Sequence, residues 1–468
     1  MSANVRFRTS LRNVVLDVMV RRGWKETEDD PDWDIFWADR LWLYEVFDHV
    51  HLRSHQRVNH FRNHYELTRK DRMVHNLKRE KRRIEKAGKQ EEAKFDFFPK
   101  TFTLPAEYSL FVEEFKRKPG LRYIMKPVGR AQGRGIFLFR KLSQIADWKT
   151  KKFDRDFPQH SAQSFVSPSQ LEEENPQETY VVQRYIDAPY LIGGKKFDLR
   201  IFVLVTSYSP LNVYLYRSGF ARFSSAIHTN HESSLDDNTV HLTNHAVQKN
   251  SDEYNSESGN KLSIRRLRQV LSFRHGEQRV DHMFSQIQAA IVCSVQSVQN
   301  VVIQDAHCFE LYGYDILIDE NLKPWLIEIN ASPSLSASSA EDYDMKFAVV
   351  NDTLELVMRG IKRSERESSA RRSRNQQRSA GKNRSSEREK EELPTRVGGF
   401  DLVCRNGEPV LAPPEAMFKS LLGCYNPSLV RRYHSRWRRQ KHRRANAIAE
   451  HQELQKIGES PPVGSRIL

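Results

Sequence analysis

The sequence predicts an α/β fold, α+β in layout: a small N-terminal α/β domain, a larger mixed core and a largely disordered basic C-terminal tail. Three observations point there. Short apolar runs with strand alternation recur between residues 123 and 330, separated by stretches of helical periodicity. The first 74 residues form a block of short apolar segments around Trp24, Trp33, Trp37 and Trp42. After about Gly360 aliphatic residues thin out and Ser, Arg and Glu dominate, a composition that buries too little apolar surface to order itself.

Taken in order, residues 1–74 are the N-terminal domain, 75–186 a central domain and 187–361 a C-terminal domain of the core. Residues 362–395 are a disordered charged linker and 396–468 a basic tail. Leu67–Lys94 is charge-dense with helical spacing, carrying Lys78, Arg79, Lys81, Arg82, Arg83 and Lys86; a solvated helix face is the simpler reading, a substrate-facing basic helix the other. Phe95–Pro105 reads as an extended connector, and Tyr108–Lys118 as a helix closed by Pro119-Gly120. Strands are expected at Tyr123–Lys126, Ile136–Arg140, Tyr180–Ile186, Phe197–Thr206 and Val213–Arg217. Gln144–Lys152 is a candidate helix, and Phe153–Glu178 a polar loop. Helices follow near Ile264–Phe273 and Asp281–Val298, then two strands, Tyr312–Ile318 and Trp325–Asn330, joined by Asp319–Leu322. Phe400–Val430 is a short motif-like piece ahead of the basic run Arg431–Arg444.

The net charge of +15 is concentrated: Lys362–Glu392 and Arg431–Arg444 together carry 13 of those charges, so the rest of the chain is nearly balanced. A basic appendage attracts polyanions at long range, whether nucleic acid, anionic lipid or an acidic protein lattice. Cys293, Cys308, Cys404 and Cys424 form no CxxC pair and no Cys/His metal spacing, which suits reduced, packed thiols. Asp17 breaks the only apolar run near the N-terminus and no small-residue cleavage site follows, so no signal peptide is indicated. Nor does any stretch reach the roughly 18–20 apolar residues that span a bilayer. The expectation is a cytoplasmic chain without a membrane partner.

The strongest local signal for chemistry lies in the last two strands. Period-two alternation puts Glu328 and Asn330 on one face, and a hairpin would set Asp315 opposite Glu328 on that same face. Two carboxylates and an amide are hard oxygen ligands suited to Mg²⁺ on nucleotide phosphates. Upstream, Lys196, Asp198 and Arg200 alternate with Phe197, Leu199 and Ile201, which places two cations and a carboxylate on one face. That face could hold a phosphate or carboxylate ligand, or a structural ion pair. Lys126 ends a strand before a loop rich in Gly and Arg, Gly129–Gly135, which could cover phosphates with backbone N–H groups or be an ordinary turn. The loop has neither Walker nor Rossmann spacing. Gln183–Ile186 could hold a base by backbone groups, and Thr243-Asn244 could be a helix cap or a ligand contact.

Together and in this order these segments resemble the tubulin tyrosine ligase-like family with its ATP-grasp core. The matching pieces are MKP at 125–127, QGRGIF at 132–137, QRYI at 183–186, KKFDLR at 195–200, HLTN at 241–244, YGYDILID at 312–319 and WLIEINASPSL at 325–335. NHYELTRK at 63–70 joins them, and the resemblance covers about residues 20–360, closest to the glutamylating branch.

The resemblance implies roles. Lys126 and Lys196 would contact ATP phosphates beneath a lid formed by Gln132, Gly133, Arg134 and Gly135. Gln183, Arg184, Tyr185 and Ile186 would cradle adenine, with Asp198 near the ribose and Thr243 and Asn244 completing the nucleotide site. Asp315, Glu328 and Asn330 would bind two Mg²⁺. Arg200 and Arg222 would stabilise an acyl phosphate and the tetrahedral intermediate, with Glu328 part of the catalytic set, and Arg222 and Lys249 would hold the incoming amino acid. The implied partners are tubulin in microtubules, through its acidic C-terminal tails, free L-glutamate, and activating protein subunits. Cilia and flagella, with axoneme and basal body, are the implied location. Glycine or tyrosine as the added amino acid, a microtubule scaffold needing a partner for activity, and a nucleic-acid role for the tail (which includes Tyr433 and Trp437) are the rival readings.

Overall fold

The computed structural model describes residues 5–27, 32–86, 95–149, 179–249, 251, 260–379 and 393–410, of which 41, 146–149 and 362–379 are described in backbone only. Strands β1 (Arg6–Thr9), β2 (Lys25–Glu26), β3 (Ile35–Trp37) and β4 (Arg57–Val58) make a parallel sheet in the order β2-β1-β3-β4. The apolar run broken by Asp17 is the helix Val14–Arg21, started by an Asn13 side chain that accepts the Val15 N–H. Its Val14, Val15, Val18 and Met19 are buried, while Asp17 accepts a hydrogen bond from the Tyr343 hydroxyl at 2.9 Å.

A second sheet is antiparallel, in the order β5-β8-β6-β7: β5 (Thr101–Leu104), β6 (Tyr123–Pro127), β7 (Phe137–Phe139) and β8 (Tyr180–Arg184). Part of the expected connector is therefore strand β5, whose Thr101-Phe102-Thr103-Leu104 alternates polar and apolar residues and pairs with β8. The helix Tyr108–Arg117 closes this unit's core with Phe111 against Phe102, Tyr123 and Phe139. The candidate helix from Gln144 is a 3₁₀ helix, Leu142–Lys149, and the polar loop 153–178 lies outside the described residues.

The third sheet carries the rest. It comprises β9 (Leu191–Ile192), β10 (Lys195–Tyr208), β11 (Leu211–Phe223), β12 (Lys261–Ser263), β13 (Glu310–Ile318), β14 (Pro324–Asn330), β15 (Arg396–Val397), β16 (Phe400–Arg405) and β17 (Glu408–Pro409). Its main path runs β14-β13-β10-β11-β16-β15, every pair antiparallel. Period two divides β10 between two cores. Leu199, Ile201, Val203 and Val205 pack with the helices Ile264–His275 and Glu277–Ser297 through Leu267, Leu271, Phe284, Ile287 and Ile291. Phe202 and Leu204 face the helix Val14–Arg21 and the first part of the helix Ala340–Ser379 through Val349, Val350, Leu354 and Val357. Each such side chain, fully buried, contributes about 1.5–3 kcal/mol. Lys196, Asp198 and Arg200 of β10 lie ahead of that second apolar patch, on the same face.

Two boundaries differ from the expectation. Strand β11 runs on past Arg217 to Phe223, through Gly219, where a Cβ would lie 2.4 Å from the Arg200 carbonyl oxygen. The helix that begins at Ala340 continues through Gly360 to Ser379, into the expected disordered linker. Residues 396–409, assigned to the tail, extend the main sheet by pairing with β11, because Phe400, Leu402 and Cys404 find a buried edge there. The basic run Arg431–Arg444 and Cys424 lie outside the described residues. Cys308 and Cys404 are buried free thiols. Among the described residues no helix is long and apolar enough to cross a membrane.

Candidate active site

Sheet register assembles one side of the site. Asp315 on β13 lies opposite Glu328 on β14 and opposite Arg200 on β10, and Asp198 on β10 lies opposite Arg222 on β11. Opposite residues share a face, so five charged side chains from four strands converge without help from loops. Arg200 grips Asp315 with two parallel bonds, Nε to Oδ1 at 2.6 Å and Nη2 to Oδ2 at 2.9 Å. Arg222 donates Nε to Asp198 Oδ1 at 2.8 Å and places Nη2 on both Asp198 Oδ2 and, at 2.8 Å, Asp315 Oδ2. Asn330 Nδ2 reaches Asp315 Oδ2 at 3.3 Å.

Burial alone would raise the pKa of Asp315, but Arg200 and Arg222 outweigh it and hold the carboxyl below its ordinary range. Burial likewise works against the charge of Arg222, and Asp198 and Asp315 overcome it. Glu328 differs: burial and the facing Asp315 both push its pKa up, and its nearest cation, Lys70 Nζ, stands 3.9 Å away.

The opposite side is built from lysines. Lys126, at the end of β6, donates to Gln183 Oε1 at 2.8 Å, and Gln183 Nε2 donates to Thr101 Oγ1 at 3.0 Å. Lys196 donates to the Tyr185 hydroxyl at 2.9 Å and the His241 carbonyl at 2.8 Å, its ammonium 4.5 Å from the Tyr185 ring centre. His241 Nε2 lies 2.9 Å from the Ser234 carbonyl, which can only accept, so that nitrogen carries the proton. Nδ1 then accepts from the Tyr185 hydroxyl at 3.0 Å, leaving the tyrosine oxygen to accept from Lys196. Burial lowers Lys126 to about 8 and, with Lys126 close by, Lys196 to about 7. Burial and Lys196 lower His241 to about 4, which keeps it neutral.

Between these sides is an open cleft of about 670 Å³. Ile124, Ile136, Leu242, Leu317 and Ile327 give it apolar walls, joined by Thr243 and Asn244. Asn244 occupies the N-cap position of the helix His245–Gln248 but makes no side-chain cap bond there, so the cap reading gives way to a side chain facing the cleft. The loop after β6 turns through positive φ at Gln132, Gly133 and Gly135, and a Cβ on Gly133 would sit 2.9 Å from Val247 Cγ2.

The tubulin-tyrosine ligase family profile matches residues 49–366. The chain belongs to this family. A Bos taurus protein named probable tubulin polyglutamylase TTLL9 is 50% identical over 419 residues, covering 86% of this chain and 85% of that one. A Caenorhabditis elegans protein named probable tubulin polyglutamylase ttll-9 is 42% identical over 408 residues, 86% of each chain. A Tetrahymena thermophila protein named probable alpha-tubulin polyglutamylase Ttll1 is 45% identical over 371 residues, 76% of this chain and 86% of that one.

Of the residues singled out by the family resemblance, Lys126, Gln183, Arg184, Tyr185, Ile186, Lys196, Asp198, Thr243, Asn244, Asp315 and Glu328 line the cleft. Arg200, Arg222 and Asn330 bond to Asp315 beside it. Gln132 and Arg134 are exposed, and their loop rests against the segment 242–247 instead of lining the cleft. Lys249 is exposed at the end of a short helix and does not line it either.

The sequence reasoning missed a second cationic group. Lys261 on β12 pairs in register with Arg222. Its Nζ donates to Asp342 Oδ2 at 2.7 Å, and Lys346 donates to the same oxygen at 3.0 Å. Asp342 and Lys346 are visible in sequence as an i,i+4 pair, but nothing local ties that pair to Lys261. Lys70 was also missed; it opens the helix Lys70–Lys86, and its ammonium reaches the Arg130 carbonyl at 3.1 Å. That helix buries Met73, Val74 and Leu77 and exposes Arg72, Arg79, Arg82, Arg83 and Lys86.

A third polar cluster is separate: His60, His64 and Glu310 lie within 4.8 Å of one another and are buried. His60 Nδ1 meets Glu310 Oε1 at 2.7 Å, Glu310 Oε2 accepts the Phe61 N–H at 2.9 Å, and His64 Nδ1 meets the Phe61 carbonyl at 3.0 Å. Burial raises Glu310 to about 8 and lowers His60 to about 3, and their bond ties the N-terminal segment to β13.

Proposed function

We propose that this chain is an ATP-dependent carboxylate–amine ligase that adds L-glutamate to glutamate side chains in tubulin C-terminal tails. The observation that carries the reading is the opposition of two buried lysines with neutral partners to a carboxylate–arginine set on the far side of one cleft. Family membership and relatives named tubulin polyglutamylases support the choice of tubulin and of glutamate.

Lys126 and Lys196 bind the phosphates of ATP, the apolar walls and the Gln183–Ile186 segment take the base, and Asp198 lies toward the ribose. The donor set fits Mg²⁺: Asp315, Glu328 and Asn330 are hard oxygen donors, and the facing carboxylates that raise Glu328 crowd negative charge which a divalent ion relieves. Two ions held there would supply charge neutralisation for phosphoryl transfer. The acceptor carboxylate attacks the γ-phosphorus of ATP, the bond to the bridging oxygen breaks, ADP leaves and an acyl phosphate forms. Arg200 and Arg222 stabilise the charge of that intermediate and of the tetrahedral species formed when the amine of glutamate attacks the acyl carbon. Phosphate leaves, and an isopeptide or peptide bond remains.

Lys261 and Lys346, beside Arg222, offer the second carboxylate of glutamate a cationic point, which glycine or tyrosine would leave unpaired; this favours glutamate over those rivals, and Arg222 is assigned a contact with the incoming amino acid. Lys249, exposed at the end of its short helix, is assigned a contact with the incoming amino acid, and the Gln132–Gly135 loop the part of a lid. An acidic acceptor suits the basic C-terminal run. The proposed workplace is the microtubule cytoskeleton, in cilia and flagella at axonemes and basal bodies, with activating subunits as further partners.

The test incubates the full chain with microtubules, Mg·ATP and, separately, labelled glutamate, glycine and tyrosine, beside Glu328→Gln. Label from glutamate alone, lost in the variant, is the expected result. Label from glycine or tyrosine overturns the amino acid and keeps the reaction. No label despite bound ATP points to a missing partner.

A further inference from the structure

Asp342 is 5% exposed, near the start of the helix Ala340–Ser379. Its Oδ2 accepts four bonds: from Lys261 Nζ at 2.7 Å, Lys346 Nζ at 3.0 Å, the Ser338 N–H at 3.0 Å and the Ser338 hydroxyl at 3.3 Å. Its Oδ1 has no partner among the described residues. A plain structural ion pair spreads its donors over both oxygens; here all of them meet at one point. The two lysines come from different elements, one on β12 and one a helical turn beyond Asp342, and this oxygen is where their ammonium groups meet.

Two ammonium groups converging on one atom repel each other, more so away from water. Asp342 offsets that repulsion and fixes their separation, while the Phe220 ring, 4.8 Å from Lys261 Nζ and 5.9 Å from Lys346 Nζ, backs both. The Ser336 carbonyl accepts from Lys346 at 2.6 Å and the Ser338 hydroxyl from Lys261 at 2.8 Å, so each lysine has one further, neutral partner. Two cations against one carboxylate leave a net positive charge beside Arg222, whose own charge is committed to Asp198 and Asp315.

We propose that Asp342 is a positioning residue for the incoming amino acid: it converges Lys261 and Lys346 into a single carboxylate-binding point and so helps set the preference for a dicarboxylic substrate. This rests on the reading above, in which those lysines receive a carboxylate of glutamate. Without its charge the lysines separate, or the buried Lys346, whose pKa burial already lowers, gives up its proton; either way the point is lost. The phosphate-binding side of the cleft is untouched.

The experiment measures KM for L-glutamate and for ATP, together with thermal melting, in the wild type, Asp342→Asn, Asp342→Glu and Lys346→Met. The expected result for Asp342→Asn is a KM for glutamate raised about tenfold with KM for ATP unchanged, partly recovered in Asp342→Glu, with Lys346→Met raising the same constant. If Lys346→Met raises KM for glutamate and Asp342→Asn does not, the positioning role is overturned and the pocket stands. If neither variant moves it, both the role and the pocket are overturned. If Asp342→Asn raises both constants in step with a lowered melting temperature, the residue is structural only.

Discussion

The two sides of the cleft hold their cations in opposite ways. Lys126 and Lys196 are buried against an amide, a phenol and a carbonyl, all neutral. Arg200 and Arg222 are bound to carboxylates with near-ideal fork geometry. The first arrangement leaves positive charge uncompensated and costs stability; the second compensates it and stays rigid. A side meant to receive a polyanion gains from unpaired charge, because the ligand supplies the missing partner. A side meant to stabilise charge that develops during reaction gains from fixed orientation.

The largest effect should follow from breaking the paired side. Asp315→Asn leaves Arg200 without its carboxylate and Arg222 with only Asp198, and should destabilise the fold by about 3–5 kcal/mol while abolishing ligation. Denaturant unfolding checks the first part, and retention of wild-type stability would show that the arginines are not held as described. Lys196→Met should do the reverse: stability unchanged or slightly raised, with ATP affinity reduced about 100-fold, since a charge-assisted contact is lost and a desolvation cost removed. Calorimetric titration of ATP beside a melting curve would separate the two; a melting temperature lowered as far as in Asp315→Asn would erase the contrast.

A smaller step is Tyr185→Phe, which removes one acceptor from Lys196 and the proton donor to His241. About fivefold weaker ATP binding is expected, roughly 1 kcal/mol for one hydrogen bond. The smallest effect concerns protons. Lys196 at about 7 and Lys126 at about 8 lie below the ordinary lysine value of 10.5, so between those pH values the unfolded chain binds more protons than the folded one. Stability from these two groups therefore rises with pH across that window and is lost as pH falls through it. Phosphates would draw the lysines back to the charged form, so ATP binding at pH 8 should take up protons. Titrations in buffers of different ionisation enthalpy read this directly, and zero uptake would mean that both lysines are already charged.

Much of the site was legible because it rests on strands. Lys196, Asp198 and Arg200 share a face by period two, and the turn Asp319–Leu322 was enough to place Asp315 across from Glu328. The bonding of Tyr185 to His241 and Lys196 was not legible, because Tyr185 follows β8 and His241 ends a short helix 56 residues later. Lys261 and Lys346 escaped for the same reason: each looks like an ordinary surface lysine until β12 pairs with β11. Strand β5 and the strands β15–β17 were read as connector and tail because so short a run does not reveal its partner: β5 pairs with β8, β16 with β11, and β15 and β17 with β16.

The sequence by itself determined which side chains point together along each strand, because that depends on backbone geometry over a few residues. It also carried the order of motifs that marks the family. Only the tertiary structure decided which strands are neighbours. Arg200 and Asp315 stand 115 positions apart, and their meeting depends on β10 being sandwiched between β11 and β13. That choice is made by burying both apolar faces of β10 under helices from distant parts of the chain, a global packing condition that no local pattern encodes.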